Sequence, residues 1–220
     1  MPIDLDVKVS GLKELQSFLG GYAKQLPFAT SKALNDTAFQ VRLAEKKEIA
    51  DFVDKPKPFV ANSPRVEKST KRNLVAKVYI DERIEDVLAH HVYSGPRAPR
   101  AAESRLRRRG MIRPGEFVVY SNTFLDSYGN ITYARWKLIF EALENRTGNY
   151  FIMTTRRGVK GIWIRYGKGR GAVKLVAAIV SNHPRYNKRF GFYTEAQKIF
   201  DRRFSANFDK AIDKAIRTAR

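Results

Sequence analysis

The sequence predicts an α+β fold: a long N-terminal amphipathic helix and a C-terminal helix packed on a twisted antiparallel sheet, with an extended arginine-rich loop or arm. Three observations carry this. Residues 27–52 are rich in alanine and space their apolar side chains at the helical period; three strand-like runs between 150 and 181 are separated by glycine turns; and Phe200, Phe204, Phe208, Ile212 and Ile216 recur every four residues near the end of the chain. With 220 residues and 43% hydrophobic composition, the chain has enough apolar surface to bury a core.

Taken in order, Ile3, Leu5, Val7 and Val9 alternate with Asp4, Asp6 and Lys8, the pattern of a half-buried strand. Gly11 breaks it, and Leu12, Leu15, Phe18 and Leu19 give a short amphipathic helix ended by Gly20 and Gly21. Pro27 suits a first helical position, and Leu34, Ala38, Val41, Ala44, Ile49 and Phe52 then follow one helical face. Alanines at 29, 33, 38, 44 and 50 favour helix and permit close packing. Pro56 and Pro58 end this helix, and a polar stretch to Arg72 has strand character near Val66. Leu74, Ala76, Val78 and Ile80 mark a strand, and 82–93 can form a short helix. From 94 to 115 the residues show no apolar periodicity and are punctuated by Pro96, Pro99, Gly110 and Pro114, which reads as a basic arm or insertion. A short strand at 116–120 and a helix over 132–143, carrying Trp136, Ile139, Phe140 and Leu143, come next. The strands 150–155, 161–166 and 172–181 form an antiparallel meander turned by Gly158 and by the glycines of 167–171. Thr194-Glu-Ala-Gln197 reads as a capping box opening the last helix, whose aromatic ladder is expected to be core. One domain over 1–220 is expected, with 94–115 as the arm and 120–148 as an additional segment.

The charge is unevenly placed. The chain carries 42 Lys+Arg against 22 Asp+Glu, a net of +20, and its expected neighbours are acidic. Residues 1–92 hold 15 basic and 13 acidic side chains, and residues 93–220 hold 27 and 9. Arg97, Arg100, Arg105, Arg107, Arg108, Arg109 and Arg113 stand close together with one acid, Glu103. Arg156, Arg157, Lys160, Lys168 and Arg170 sit at the meander tips. Planar guanidinium forks match phosphate and carboxylate geometry, so these twelve residues are the candidates for contact with DNA or an acidic partner; a solvated loop is the alternative for the first block. If that block neutralised about seven phosphates, the log–log salt slope for DNA binding would be about −6.

No constellation of catalytic residues stands out. The absence of cysteine excludes disulfides, zinc–thiolate sites and cysteine nucleophiles. Adjacent His90 and His91 diverge on a helix or strand, and His183 is the only other imidazole. The 167–171 glycines lack a phosphate-loop spacing, and no serine lies in a nucleophile-elbow context. Asp126, Glu141 and Glu144 could be imagined as the carboxylates of a metal-dependent nuclease, but ordinary surface acids explain them. The expectation is a non-enzyme without cofactor or metal. No finger, basic-zipper or RNA-recognition signature occurs either, which leaves sequence-independent polyanion contact. No run of about 18 apolar residues and no charged-then-apolar N-terminal segment is present, so a cytosolic, non-membrane protein is expected.

The order of these elements resembles the minor tail protein Z, or tail-completion, family of long-tailed double-stranded DNA phages. The likeness rests on the segment Ala29-Thr-Ser-Lys-Ala33-Leu-Asn-Asp-Thr-Ala38-Phe-Gln-Val41, on Arg105-Leu-Arg107-Arg108-Arg109, on the hairpin Arg157-Gly-Val-Lys-Gly-Ile-Trp163 and on the closing Phe204, Phe208, Ile212 repeat. It spans most of 10–218, and 120–148 departs from the family pattern. It implies a structural virion protein at the head-proximal end of the tail, assembled in the host cytoplasm. Its implied partners are itself, as a homo-oligomeric, hexameric ring, the tail terminator or tail tube and head-tail connector proteins, and the packaged DNA end. A non-specific nucleic-acid-binding protein of host or phage is the alternative.

Overall fold

The computed structural model describes residues 3–7, 24–167, 172–182 and 184–218. In chain order the elements are β1 (Asp4–Val7), α1 (Leu26–Phe52), α2 (Pro58–Ala61), β2 (Pro64–Glu67), β3 (Ala76–Ile80), α3 (Glu82–Tyr93), β4 (Gly95–Pro96), α4 (Ala101–Arg108), β5 (Phe117–Tyr120), a 3-10 turn (Asn122–Phe124), α5 (Tyr133–Asn145), β6 (Tyr150–Thr154), β7 (Lys160–Arg165), β8 (Val173–Val180), β9 (Arg185–Tyr186) and α6 (Phe192–Thr218). The α+β class holds, with both long helices and antiparallel sheets in place. The expected helix over 12–19, the end of the first strand at Lys8 and Val9, most of the 167–171 turn and His183 lie outside the described residues.

The chain divides into two compact units, Met1–Ser94 with Asn187–Arg220, and Gly95–Tyr186. Where one domain with two excursions was expected, both 94–115 and 120–148 belong almost wholly to the second unit.

In the first unit α1 and α6 run antiparallel. Ala29 and Ala33 meet Ala211 and Ala215, and Asn207 Nδ2 donates to Thr37 Oγ1 at 2.9 Å. Small side chains on both helices permit the close approach. The aromatic ladder lies beside this alanine seam: Phe200, Phe204, Phe208 and Ile212 are half-buried, and Phe200 stacks on Phe204 at 4.9 Å between ring centroids. Helix α6 begins at Phe192, so Thr194 is inside the helix rather than its cap. The sheet has the order β1-β3-β2, all antiparallel, and central β3 buries Ala76, Val78 and Ile80 against Leu34, Val41, Leu88 and Phe192. Helix α3 spans the expected residues, and the Asp81 side chain accepts from the Arg83 N–H at its start.

In the second unit the strands β5-β8-β7-β6 form an antiparallel sheet, and the consecutive pairing β6-β7-β8 is the expected meander. Gly158 takes φ +80° at the β6–β7 tip, where the Thr155 N–H donates to the Val159 carbonyl at 3.0 Å. One face of the sheet carries Val118, Ile162, Val176 and Ile179, packed with Leu106 of α4 and with Trp136, Ile139 and Phe140 of α5. The 120–148 segment is therefore part of this core.

The arm expected over 94–115 is replaced by folded structure. Residues 101–108 are helix, and Leu106 and Ile112 are buried. Alanine and arginine are good helix formers, and Ala102 with Leu106 gives an apolar stripe one turn long, too short to register as periodicity. The Arg100 N–H is held by the Glu103 carboxylate at 2.7 Å, which satisfies a donor at the helix start.

Candidate nucleic-acid or acidic-partner interface

The second unit carries most of the charge. Residues 95–186 hold 18 Lys+Arg and 5 Asp+Glu, a net of +13, and the rest of the chain holds 24 and 17, a net of +7. What this charge can touch depends on where each side chain points.

Arg97 points inward. Its guanidinium makes a two-pronged pair with Glu103, Nη1 to Oε2 at 2.7 Å and Nη2 to Oε1 at 2.5 Å, and only 8% of its side chain is exposed. Glu103 also accepts from the Val118 N–H at 2.8 Å. Burial pushes the Glu103 carboxyl up, but hydrogen bonds from Arg97, Val118 and Arg100 outweigh it and hold it below the usual carboxylate range. A buried pair of this kind is withdrawn from any external partner, which corrects the expectation for Arg97. Arg107 is half-buried and also inward, with Nη2 donating to the Glu116 carbonyl at 2.6 Å. Arg97 and Arg107 both lie over the Phe117 ring, at 5.3 and 5.0 Å.

The other five arginines of the block, Arg100, Arg105, Arg108, Arg109 and Arg113, are exposed. Arg105 lies over Phe140 at 4.1 Å and donates to Glu144 Oε1 at 2.8 Å, an oxygen that Arg109 Nε approaches at 3.4 Å. Arg105, Arg108 and Arg109 line a cavity of about 390 Å³. Arg105 and Arg109 share the Glu144 carboxylate and Arg108 is exposed beside them, which leaves an excess of positive charge facing solvent. Such a cluster can bind a phosphate or carboxylate by charge-assisted hydrogen bonds. Arg156 and Arg157 are exposed at the β6–β7 tip. Lys160 is tied to Glu116 by contacts of 2.8 Å to both carboxylate oxygens. Burial raises the Glu116 carboxyl, and the hydrogen bonds from Lys160 and the Arg113 N–H turn the net shift downward. Lys168 and Arg170 lie outside the described residues.

The carboxylates considered for metal chemistry have structural occupations. Asp126 accepts from the N–H groups of Tyr128 and Asn130 in a turn, Glu141 lies 3.9 Å from Lys137, and Glu144 joins the arginine cluster. Among the described residues no three His, Cys, Asp or Glu side chains form a metal-binding group. Among the described residues no helix is long and apolar enough to cross a membrane.

Three features escaped the sequence reading. Glu45 is fully buried on α1 with no hydrogen-bond partner for either oxygen among the described residues, and burial, with Glu48 and Glu195 adding, pushes its carboxyl up to about 9. Arg146 and Arg165 line a cleft of about 650 Å³ beside β6. The helix stop at Arg146-Thr147-Gly148 was the available signal for Arg146; nothing local marks Glu45.

Against this geometry no protein-family model, no curated protein and no solved structure matches the chain.

Proposed function

We propose that this is a structural phage virion protein, a minor tail or tail-completion protein at the head-proximal end of the tail, assembling as a ring that joins the tail to the head connector around the DNA passage. The observation that carries the reading is the placement of charge: a folded basic unit, net +13, that leaves Arg100, Arg105, Arg108, Arg109 and Arg113 exposed around a packed core. The order of elements that resembles the tail-completion family supports the same reading. Arginines on a rigid scaffold suit contact with a polyanion or an acidic neighbouring subunit, because the scaffold fixes the side chains without reading base sequence. Arg97 and Arg107 hold that scaffold together and are not contacts in this account.

The test is localisation in particles. Immunogold labelling of purified virions is expected to place the chain at the head–tail junction, and a phage deleted for its gene should accumulate unjoined heads and tails. Absence of the chain from the particle contradicts the proposal, and DNA binding in solution by a chain absent from virions would favour a non-specific nucleic-acid-binding protein.

A further inference from the structure

We propose that the cleft beside β6 is a docking site for an extended, acidic segment of another protein, which adds to the sheet as a strand. The inference stands on the cleft and does not depend on the virion reading.

β6 is an outer strand of the order β5-β8-β7-β6. Its register with β7 pairs Tyr150, Phe151, Ile152, Met153 and Thr154 with Ile164, Trp163, Ile162, Gly161 and Lys160 without interruption. The Arg165 N–H donates to the Asn149 carbonyl, and the Thr155 N–H to the Val159 carbonyl. Those two bonds fix the alternation of the antiparallel ladder: residues 149, 151, 153 and 155 face β7, and the main-chain groups of Tyr150, Ile152 and Thr154 face outward. An outer strand is ordinarily protected by charge, proline or a bulge. The sequence Tyr-Phe-Ile-Met-Thr carries no charge and no proline, and its pairing has no bulge. It offers about 17 Å of unpaired edge.

The cleft lies along this strand. Its apolar lining includes Met111, Leu143, Tyr150 and Ile152, and a volume of about 650 Å³ admits the side chains of an incoming strand. The two charged residues of the lining are Arg146 and Arg165, and no acid lines it. Both arginines are exposed, and neither makes an ion pair among the described residues. Arg165 lies over the Phe151 ring at 5.7 Å. Arg146 holds φ +53° at the end of α5, in the left-handed region where a glycine is usual. Two uncompensated guanidinium groups in a unit of net +13 call for acidic side chains on the occupant. The same charge disfavours a second copy, whose pairing through β6 would bring like-charged arginines together.

A random octapeptide display library selected on the purified full chain tests this. The expected binders combine β-branched residues with aspartate or glutamate. Bound peptide should slow amide exchange at Tyr150, Ile152 and Thr154 while Phe151 and Met153, already bonded to β7, change little. Arg146→Gly should weaken the selected peptides about tenfold while leaving thermal stability unchanged or higher, because glycine prefers that backbone conformation. Thr154→Pro removes an outward N–H from an exposed position and should also weaken binding about tenfold. Failure to select a binder, selection of neutral or basic peptides, full binding by both variants, concentration-dependent self-association through β6, or displacement of the peptides by oligothymidine each overturns the proposal.

Discussion

The Glu45→Gln substitution tests the energetics of the first unit most sharply. Glu45 sits at 0% exposure with neither oxygen partnered among the described residues, and its carboxyl is pushed up from its ordinary 4.5 to about 9, burial being the largest cause. A raised acid binds its proton in the folded state and loses it in the unfolded state. Below pH 4.5 it is neutral in both states and imposes no penalty. As pH rises from there, the unfolded state gains by ionising while the folded state stays protonated, and stability falls by about 1.4 kcal/mol per pH unit until about pH 9. The accumulated penalty is on the order of 2 kcal/mol at pH 6 and 5 kcal/mol at pH 8. Glutamine keeps the shape and cannot ionise, so Glu45→Gln should match the native chain near pH 4.5 and exceed it increasingly above. Denaturant unfolding followed by amide exchange in α1 and α6, at pH 5 and pH 8, reads the difference. Equal pH slopes for the two proteins would mean that Glu45 is not held protonated in the folded chain.

Three further outcomes are expected. Both tryptophans, Trp136 and Trp163, lie in the second unit, so tryptophan fluorescence reports it selectively; Glu103→Gln, which breaks the buried pair with Arg97, should destabilise that unit by roughly 3–5 kcal/mol. Because hydrogen bonds hold the Glu103 carboxyl below its ordinary value, the stability it contributes is present above pH 4.5 and is lost as pH falls through its folded value, opposite in sign to Glu45; an acid titration of the fluorescence showing no such loss would contradict this. Gly161→Ala would place a Cβ 2.6 Å from Leu175 Cδ1 and 2.7 Å from the Ala177 carbonyl oxygen, and a loss of roughly 1–3 kcal/mol in chemical denaturation is expected. With Arg97 and Arg107 turned inward, five arginines of the block remain exposed, so the salt slope for DNA binding by that block should be about −4.5 rather than −6, measured by titration across 50–200 mM salt.

Periodicity made the long helices, the meander and α3 legible, because each buries a regular face over two or more turns or alternates over five or more residues. Helix α4 was not legible, since its buried stripe is one turn long and five of the ten residues from Arg100 to Arg109 are arginines, which look like solvated loop. Its signal was the single acid: Glu103, three residues after Arg100 and six after Arg97, is placed to receive both. The step in charge near Tyr93 falls beside the unit boundary at Ser94, yet the return of 187–220 to the first unit left only a faint trace, the alanine pairs 29/33 and 211/215 that face each other across two helices. The arginines themselves are plain in the sequence; which of them the fold consumes depends on contacts across many positions, such as Arg105 with Glu144, that spacing does not encode.

We propose that this chain is a structural component of the head–tail junction. Cryo-electron microscopy of the purified particle tests this directly: a ring of density fitting the two units is expected at the head-proximal end of the tail, with the Arg105, Arg108 and Arg109 cluster against DNA or an acidic subunit. A particle reconstructed without this chain at that position would contradict it.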